Sequence, residues 1–80
     1  MEASGRPDEL AEMMLDAEAV REAVRQVPDD QRRVIEMAYF AGMTHVEIAE
    51  QTGVPLGTVK SRLRIGLDKM RDYLRPRVLE

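Results

Sequence analysis

Thr44-His-Val-Glu-Ile-Ala-Glu-Gln-Thr-Gly-Val-Pro-Leu-Gly-Thr-Val-Lys-Ser-Arg-Leu-Arg64 is the stretch on which the reading of this chain turns. Val46, Ile48 and Ala49 form a short helical pattern that runs into Thr52-Gly53-Val54-Pro55. A strongly basic helical pattern begins immediately afterwards. Two helices set at a steep angle by a tight glycine-containing turn make a helix-turn-helix. The second helix carries Lys60, Arg62 and Arg64 within five residues. The expectation is a module that reads DNA.

Working outward, Thr44 is predicted to cap the first helix of the pair, and Glu47 three residues on completes a capping box. Gly42 closes the preceding helix in the manner of a C-terminal glycine. That helix is predicted over about residues 29–41, with Asp29 or Asp30 as its cap and Val34, Ile35, Ala38 and Tyr39 as its inner stripe. Before it, Leu10, Met13, Ala17, Val20, Val24 and Val27 recur in steps of three and four, an amphipathic signature. The first helix is thus predicted over about residues 8–27, capped by Asp8 and stopped by Pro28. Residues 1–7 read as a disordered tail or the end of a linker.

The basic helix is predicted from Leu56 to about Leu74, before Pro76. At about 100° per residue its faces separate. Val59, Leu63, Gly66, Leu67, Met70 and Leu74 fall on one arc, while Gly57, Lys60, Ser61, Arg64, Ile65 and Asp68 fall on the opposite one. Gly66 is unexpected, because a mid-helix glycine costs about 1 kcal/mol relative to alanine. Close approach of a neighbouring helix would account for it. No strand-type alternation and no internal repeat is present. The fold class is all-α, a four-helix domain with helices near 8–27, 29–41, 44–51 and 56–74.

Composition sets bounds on partners. Eighty residues make one small domain with a modest core. The chain has no Cys, hence no disulfide framework and no thiolate metal site. It contains neither a membrane-spanning apolar run nor a signal peptide, which points to a cytoplasmic protein. The net charge of −3 resolves along the chain: residues 1–50 hold five Lys/Arg against twelve Asp/Glu, and residues 51–80 hold seven against three. Screening confines the field of a patch to about 10 Å at 0.1 M salt, so the basic half can meet a duplex despite the acidic one. A single His, no glycine-rich phosphate loop and outward Asp/Glu argue against an enzyme. No cofactor or metal site is expected.

The outward arc has the chemistry of base readout. A helix-turn-helix presents the N-terminal part of its second helix to base edges in the major groove. Lys60 and Arg64 can donate to guanine O6 and N7, Ser61 can donate or accept, and Ile65 can touch a thymine methyl. The backbone N–H groups near Gly57 and Thr58 lie at a positive helix end suited to a phosphate. Thr44 and His45 open the supporting helix, where contacts to the DNA backbone are made. The alternative for such cations is an ordinary solvated face, and Met13, Met14, Met37 and Met70 read as core filler.

Gln31-Arg-Arg-Val-Ile-Glu-Met-Ala-Tyr-Phe-Ala-Gly-Met-Thr-His-Val-Glu-Ile-Ala-Glu50, followed by Gly53-Val-Pro-Leu-Gly-Thr-Val-Lys-Ser-Arg-Leu63, resembles the C-terminal promoter-recognition domain of bacterial sigma factors. Among these it is most similar to the small extracytoplasmic-function group. The resemblance covers about residues 27–74, and its Gly-Thr-Val-Lys-Ser-Arg-Leu segment is more specific than a generic helix-turn-helix. It implies binding of the minus-35 promoter element and docking on the β-subunit flap of core RNA polymerase. It places Lys60, Ser61, Arg64 and Ile65 at base-facing positions, and Thr58 and Arg62 against phosphates. His45 departs from the aromatic residue common at its position. Gly66 stands where alanine is usual, which implies a looser helix. The resemblance further implies an anti-sigma partner, and the aromatic-rich helix that opens the minus-10 element is missing from this chain.

Two other readings compete. The chain could act mainly as a protein-docking module for an anti-sigma factor or the polymerase flap, with Leu10, Met13, Ala17 and Val20 facing the partner. It could also be a helix-turn-helix regulator of the response-regulator type.

Overall fold

The computed structural model describes residues 16–78, with side chains through Arg75. The predicted tail at residues 1–7, Asp8 as a cap, and Leu10, Met13 and Met14 lie outside the described residues. Helix α1 spans Ala17–Arg25, α2 spans Asp29–Ile35 and runs directly into a π-helical turn at Glu36–Phe40, α3 spans His45–Thr52, and α4 spans Leu56–Val78. The described residues contain no strand.

The long apolar pattern read as one helix over residues 8–27 is interrupted. Asp16 is extended (φ −94°, ψ 97°) and its carboxylate accepts from the Ala19 backbone N–H, so α1 begins at Ala17. An aspartate side chain competes for backbone donors, and here it caps the start of α1. Ala17 is consequently an exposed first-turn residue rather than part of the buried stripe. The helix also ends two residues early. Gln26 and Val27 bond back to Ala23 and Val24 in a tightened last turn, because Pro28 disfavours helical dihedrals at the residue before it. Val20, Ala23, Val24 and Val27 enter the core.

Helix α2 has Pro28 at its N-cap position with no side-chain cap bond. Asp29 and Asp30 therefore occupy its first turn instead of capping it. They still act favourably there, since carboxylates stabilise the positive end of a helix dipole. Val34 and Ile35 are buried as predicted, but Tyr39 is 51% exposed. The π turn explains the difference. The Ala41 N–H bonds to the Glu36 carbonyl, five residues back, and the wider turn shifts the phase of everything after Ile35. Tyr39 and Phe40 swing outward together. Gly42 (φ 71°) then reverses the chain, as expected of it.

Thr44 caps α3 with a complete capping box: Thr44 Oγ1 accepts from the Glu47 N–H at 3.1 Å, and Glu47 Oε1 accepts from the Thr44 N–H at 2.8 Å. Gly53 ends α3 in the left-handed region (φ 76°, ψ 10°), its N–H bonding to the Ala49 carbonyl at 2.9 Å. The Thr52 hydroxyl fastens this turn twice, donating to the Ile48 carbonyl at 2.7 Å and accepting from the Val54 N–H at 3.2 Å. Among the described residues every other helix packs on α4, whose Val59, Leu63, Met70 and Leu74 share one buried cluster with Ile35 and Ile48. Burial of a large aliphatic side chain is worth about 1.5–3 kcal/mol, so α4 is the element around which the core is organised.

One feature of α4 departs from expectation, and one, the close approach of a neighbouring helix at Gly66, agrees with it. The helix continues through Pro76 to Val78 instead of stopping near Leu74. Proline removes one hydrogen bond, yet its fixed φ near −65° is itself helical, so a single loss close to the end does not break the rod. Gly66 is buried, and a Cβ built on it would lie 2.7 Å from Ile35 Cδ1 and 3.1 Å from Gln31 Cβ. Its missing side chain lets α2 sit against α4. The glycine tightens the domain here rather than loosening a helix.

Candidate nucleic-acid interface

The turn at residues 53–55 projects α4 away from α3, and the packing of Val59 and Leu63 sets the rotation of α4 about its axis. Val59 is fully buried and Leu63 nearly so. That rotation leaves Gly57, Lys60, Ser61, Arg64 and Ile65 exposed on the opposite side, as predicted. Thr58 and Arg62 lie on the flanks and are half-buried. The Pro55 carbonyl accepts from the Val59 N–H at 3.0 Å, the first turn of α4. The N–H groups of Leu56, Gly57 and Thr58 precede that bond and belong to the end of the helix that has no partners within it.

Thr44, His45 and Lys60 line one shallow groove of about 500 Å³, together with Tyr39, Val46 and Leu56. The fold thus brings the start of the supporting helix beside the recognition helix. Thr44 uses one oxygen lone pair and its N–H in the capping box, and its hydroxyl proton remains to donate. His45 is exposed at the first position of α3. Arg62 stands apart from this group. Its Nε lies 3.6 Å from Asp30 Oδ2 on α2, with the two side chains 34% and 52% exposed.

Sequence reasoning missed three residues at or beside this surface. Tyr39 and Phe40 (60% exposed) are displaced by the π turn, which leaves no signature in hydrophobic spacing. Asp30 read only as a cap, and nothing in its spacing announced Arg62, thirty-two residues later. Among the described residues no cluster of His, Cys, Asp or Glu is arranged to hold a metal ion, and no helix is long and apolar enough to cross a membrane.

A short helix, a glycine turn and a longer helix with an outward cationic face define a helix-turn-helix domain of the DNA-binding class. Comparison with known families agrees: the family model described as Sigma-70, region 4 matches residues 17–70. The chain belongs to the sigma-70 region 4 family. It is 41% identical over 70 residues to the ECF RNA polymerase sigma factor RpoE of Cereibacter sphaeroides, covering 85% of this chain and 39% of that protein. It is 40% identical over 55 residues to the ECF RNA polymerase sigma factor SigK of Mycobacterium tuberculosis, covering 69% of this chain and 29% of that protein. The SigK of Mycobacterium ulcerans is 38% identical over the same length. The chain therefore spans well under half the length of these relatives. No solved structure matches it.

Proposed function

We propose that this chain recognises the minus-35 promoter element as the DNA-reading part of an extracytoplasmic-function sigma factor, working in the cytoplasm with core RNA polymerase. The observation that carries this is the split of α4, where Val59 and Leu63 are buried while Lys60, Ser61 and Arg64 face solvent. On this reading Lys60, Ser61 and Arg64 meet base edges and Ile65 meets a thymine methyl. Thr58, Arg62 and the N–H groups around Gly57 hold phosphates, and Thr44 and His45 add contacts from α3. Gly57 supports this assignment, since a Cβ there would meet nothing within 4 Å. Nothing among the described residues requires that glycine, whereas a phosphate approaching the backbone would.

No step of this function is catalytic, and the protein is not an enzyme on this reading. Its specificity is tested by selecting duplexes from a random pool with the domain joined to the remainder of its sigma factor. The expected result is one enriched motif that outcompetes its scrambled counterpart at physiological salt. Equal binding of the selected and scrambled duplexes would overturn base readout.

A second, compatible role is protein docking on the polymerase flap or an anti-sigma factor. Of the stripe first expected to serve it, Val20 lies in the chain's own core and Ala17 is exposed, while Leu10 and Met13 lie outside the described residues. The support among the described residues comes from Tyr39, Phe40 and Val46, three large apolar side chains more than half exposed around the α2–α3 corner. Replacing Phe40 with Ser is expected to weaken capture by core polymerase while leaving duplex binding intact.

A further inference from the structure

We infer that Asp30 is a built-in competitor for the DNA phosphate at Arg62, and that it holds down the sequence-independent affinity of the domain. This rests on the proposed phosphate contact of Arg62. The Asp30 carboxylate is tethered, with Oδ1 accepting from the Gln31 backbone N–H at 2.9 Å and Oδ2 lying 3.6 Å from Arg62 Nε. Its neighbour Asp29 pairs with Arg32 within α2. Asp30 is the acidic group, among the described residues, in ion-pair range of Arg62.

The separation exceeds the roughly 2.7–2.9 Å of a charge-assisted hydrogen bond. Both side chains are substantially exposed, and pairs of this kind contribute little to stability. The contact is therefore too weak to be explained as a brace for the fold, and loose enough to exchange for a phosphate. Its electrostatic effect on binding is larger than its effect on folding. A guanidinium still partly neutralised by a carboxylate displaces fewer of the counterions condensed on the DNA when it meets a phosphate. A phosphate seated on Arg62 would also lie well within one Debye length of a carboxylate that its tether keeps in place. Both effects oppose backbone contact whatever the base sequence. Lys60, Ser61 and Arg64 lie outside the pair, so discrimination between sequences is untouched.

The test measures affinity against salt concentration for the chain and its Asp30→Asn form, on a duplex selected by the chain and on a mixed-sequence duplex. Asp30→Asn is expected to bind both duplexes about two- to five-fold more tightly. The slope of log K against log salt should steepen by about 0.9, the value of one added phosphate contact. In the Arg62→Ala background the same substitution should change both quantities much less, since most of the coupling runs through that side chain. Asp30→Ser serves as a second variant, and circular dichroism checks that each folds. Weaker binding by Asp30→Asn would make the carboxylate a support for Arg62 and overturn the inference, as would an equal gain without Arg62. An unsubstituted chain that binds neither duplex removes the proposed DNA contact as well, whereas unchanged affinity and slope in a binding chain remove only the role of Asp30.

Discussion

Arg64 and Gly66 are two residues apart on α4 and face opposite worlds. Arg64 is exposed and free to enter a groove, while Gly66 is buried under Ile35 and Gln31. Their substitutions should fail in different assays. Arg64→Ala is expected to leave thermal stability unchanged, weaken binding to the selected duplex by about 1–3 kcal/mol, and relax preference at one base pair. Titrating single-base variants of that duplex checks it; an unchanged preference at every position would remove Arg64 from the base-reading set. Gly66→Ala gains about 1 kcal/mol of helix propensity, but the added methyl collides with a side chain that has no solvent to retreat into. Overpacking of this kind costs about 1–3 kcal/mol, so the net effect is expected to be destabilising. Ile35→Val removes the colliding methyl. Chemical denaturation of the double variant should show a smaller loss than the two single losses added, and strict additivity would contradict the contact.

Among the elements, α3 depends most on its ends. It is only eight residues long, and isolated helices of that length do not persist in water. The Thr44–Glu47 box at one end and the left-handed Gly53 at the other satisfy its terminal groups, and Ile48 attaches its middle to the core. Thr44→Ala is expected to cost about 1 kcal/mol and to fray the first turn. Amide exchange should quicken at Val46 and Glu47 before it changes in α4, and uniform acceleration across the chain would show that the cap is not a local device. The π turn in α2 is the contrasting case. No side chain in Glu36–Phe40 demands an extra residue per turn, yet the turn decides that Tyr39 and Phe40 face outward. The exposed corner they make with Val46 is a product of backbone phase, which apolar periodicity could not reveal.

The molecule as a whole is a set of short helices assembled on one long one. Met70 and Leu74 are fully buried toward the distal part of α4, while Val59 and Leu63 are buried beside the recognition surface. A core shared in this way couples the shape of the DNA-facing end to packing far from it. Met70→Ala should therefore cost about 2–5 kcal/mol. It is expected to lower the denaturation midpoint in a single transition and to weaken DNA binding only as far as the folded fraction falls. Two separate transitions would mean that the distal packing is independent of the helix-turn-helix. The charge distribution also acts globally: the acidic first half opposes non-specific attachment, and the Asp30–Arg62 contact brings one of those carboxylates to the recognition helix itself.

Local rules were enough to read the all-α class, the capping box, the glycine turn and the division of α4 into apolar and cationic arcs. Each depends on residues within a few positions of one another, so spacing alone carries the information. The same rules misjudged the unbroken first helix, the inward Tyr39 and the stop before Pro76. There a cap, a widened turn or a tolerated proline altered backbone geometry without altering the apolar pattern. Tertiary structure alone decided which side chains crowd position 66, that Thr44, His45 and Lys60 share a groove, and that Asp30 stands against Arg62. Those facts concern pairs distant in sequence, and only the docking of α2 and α3 onto α4 fixes the distances between them.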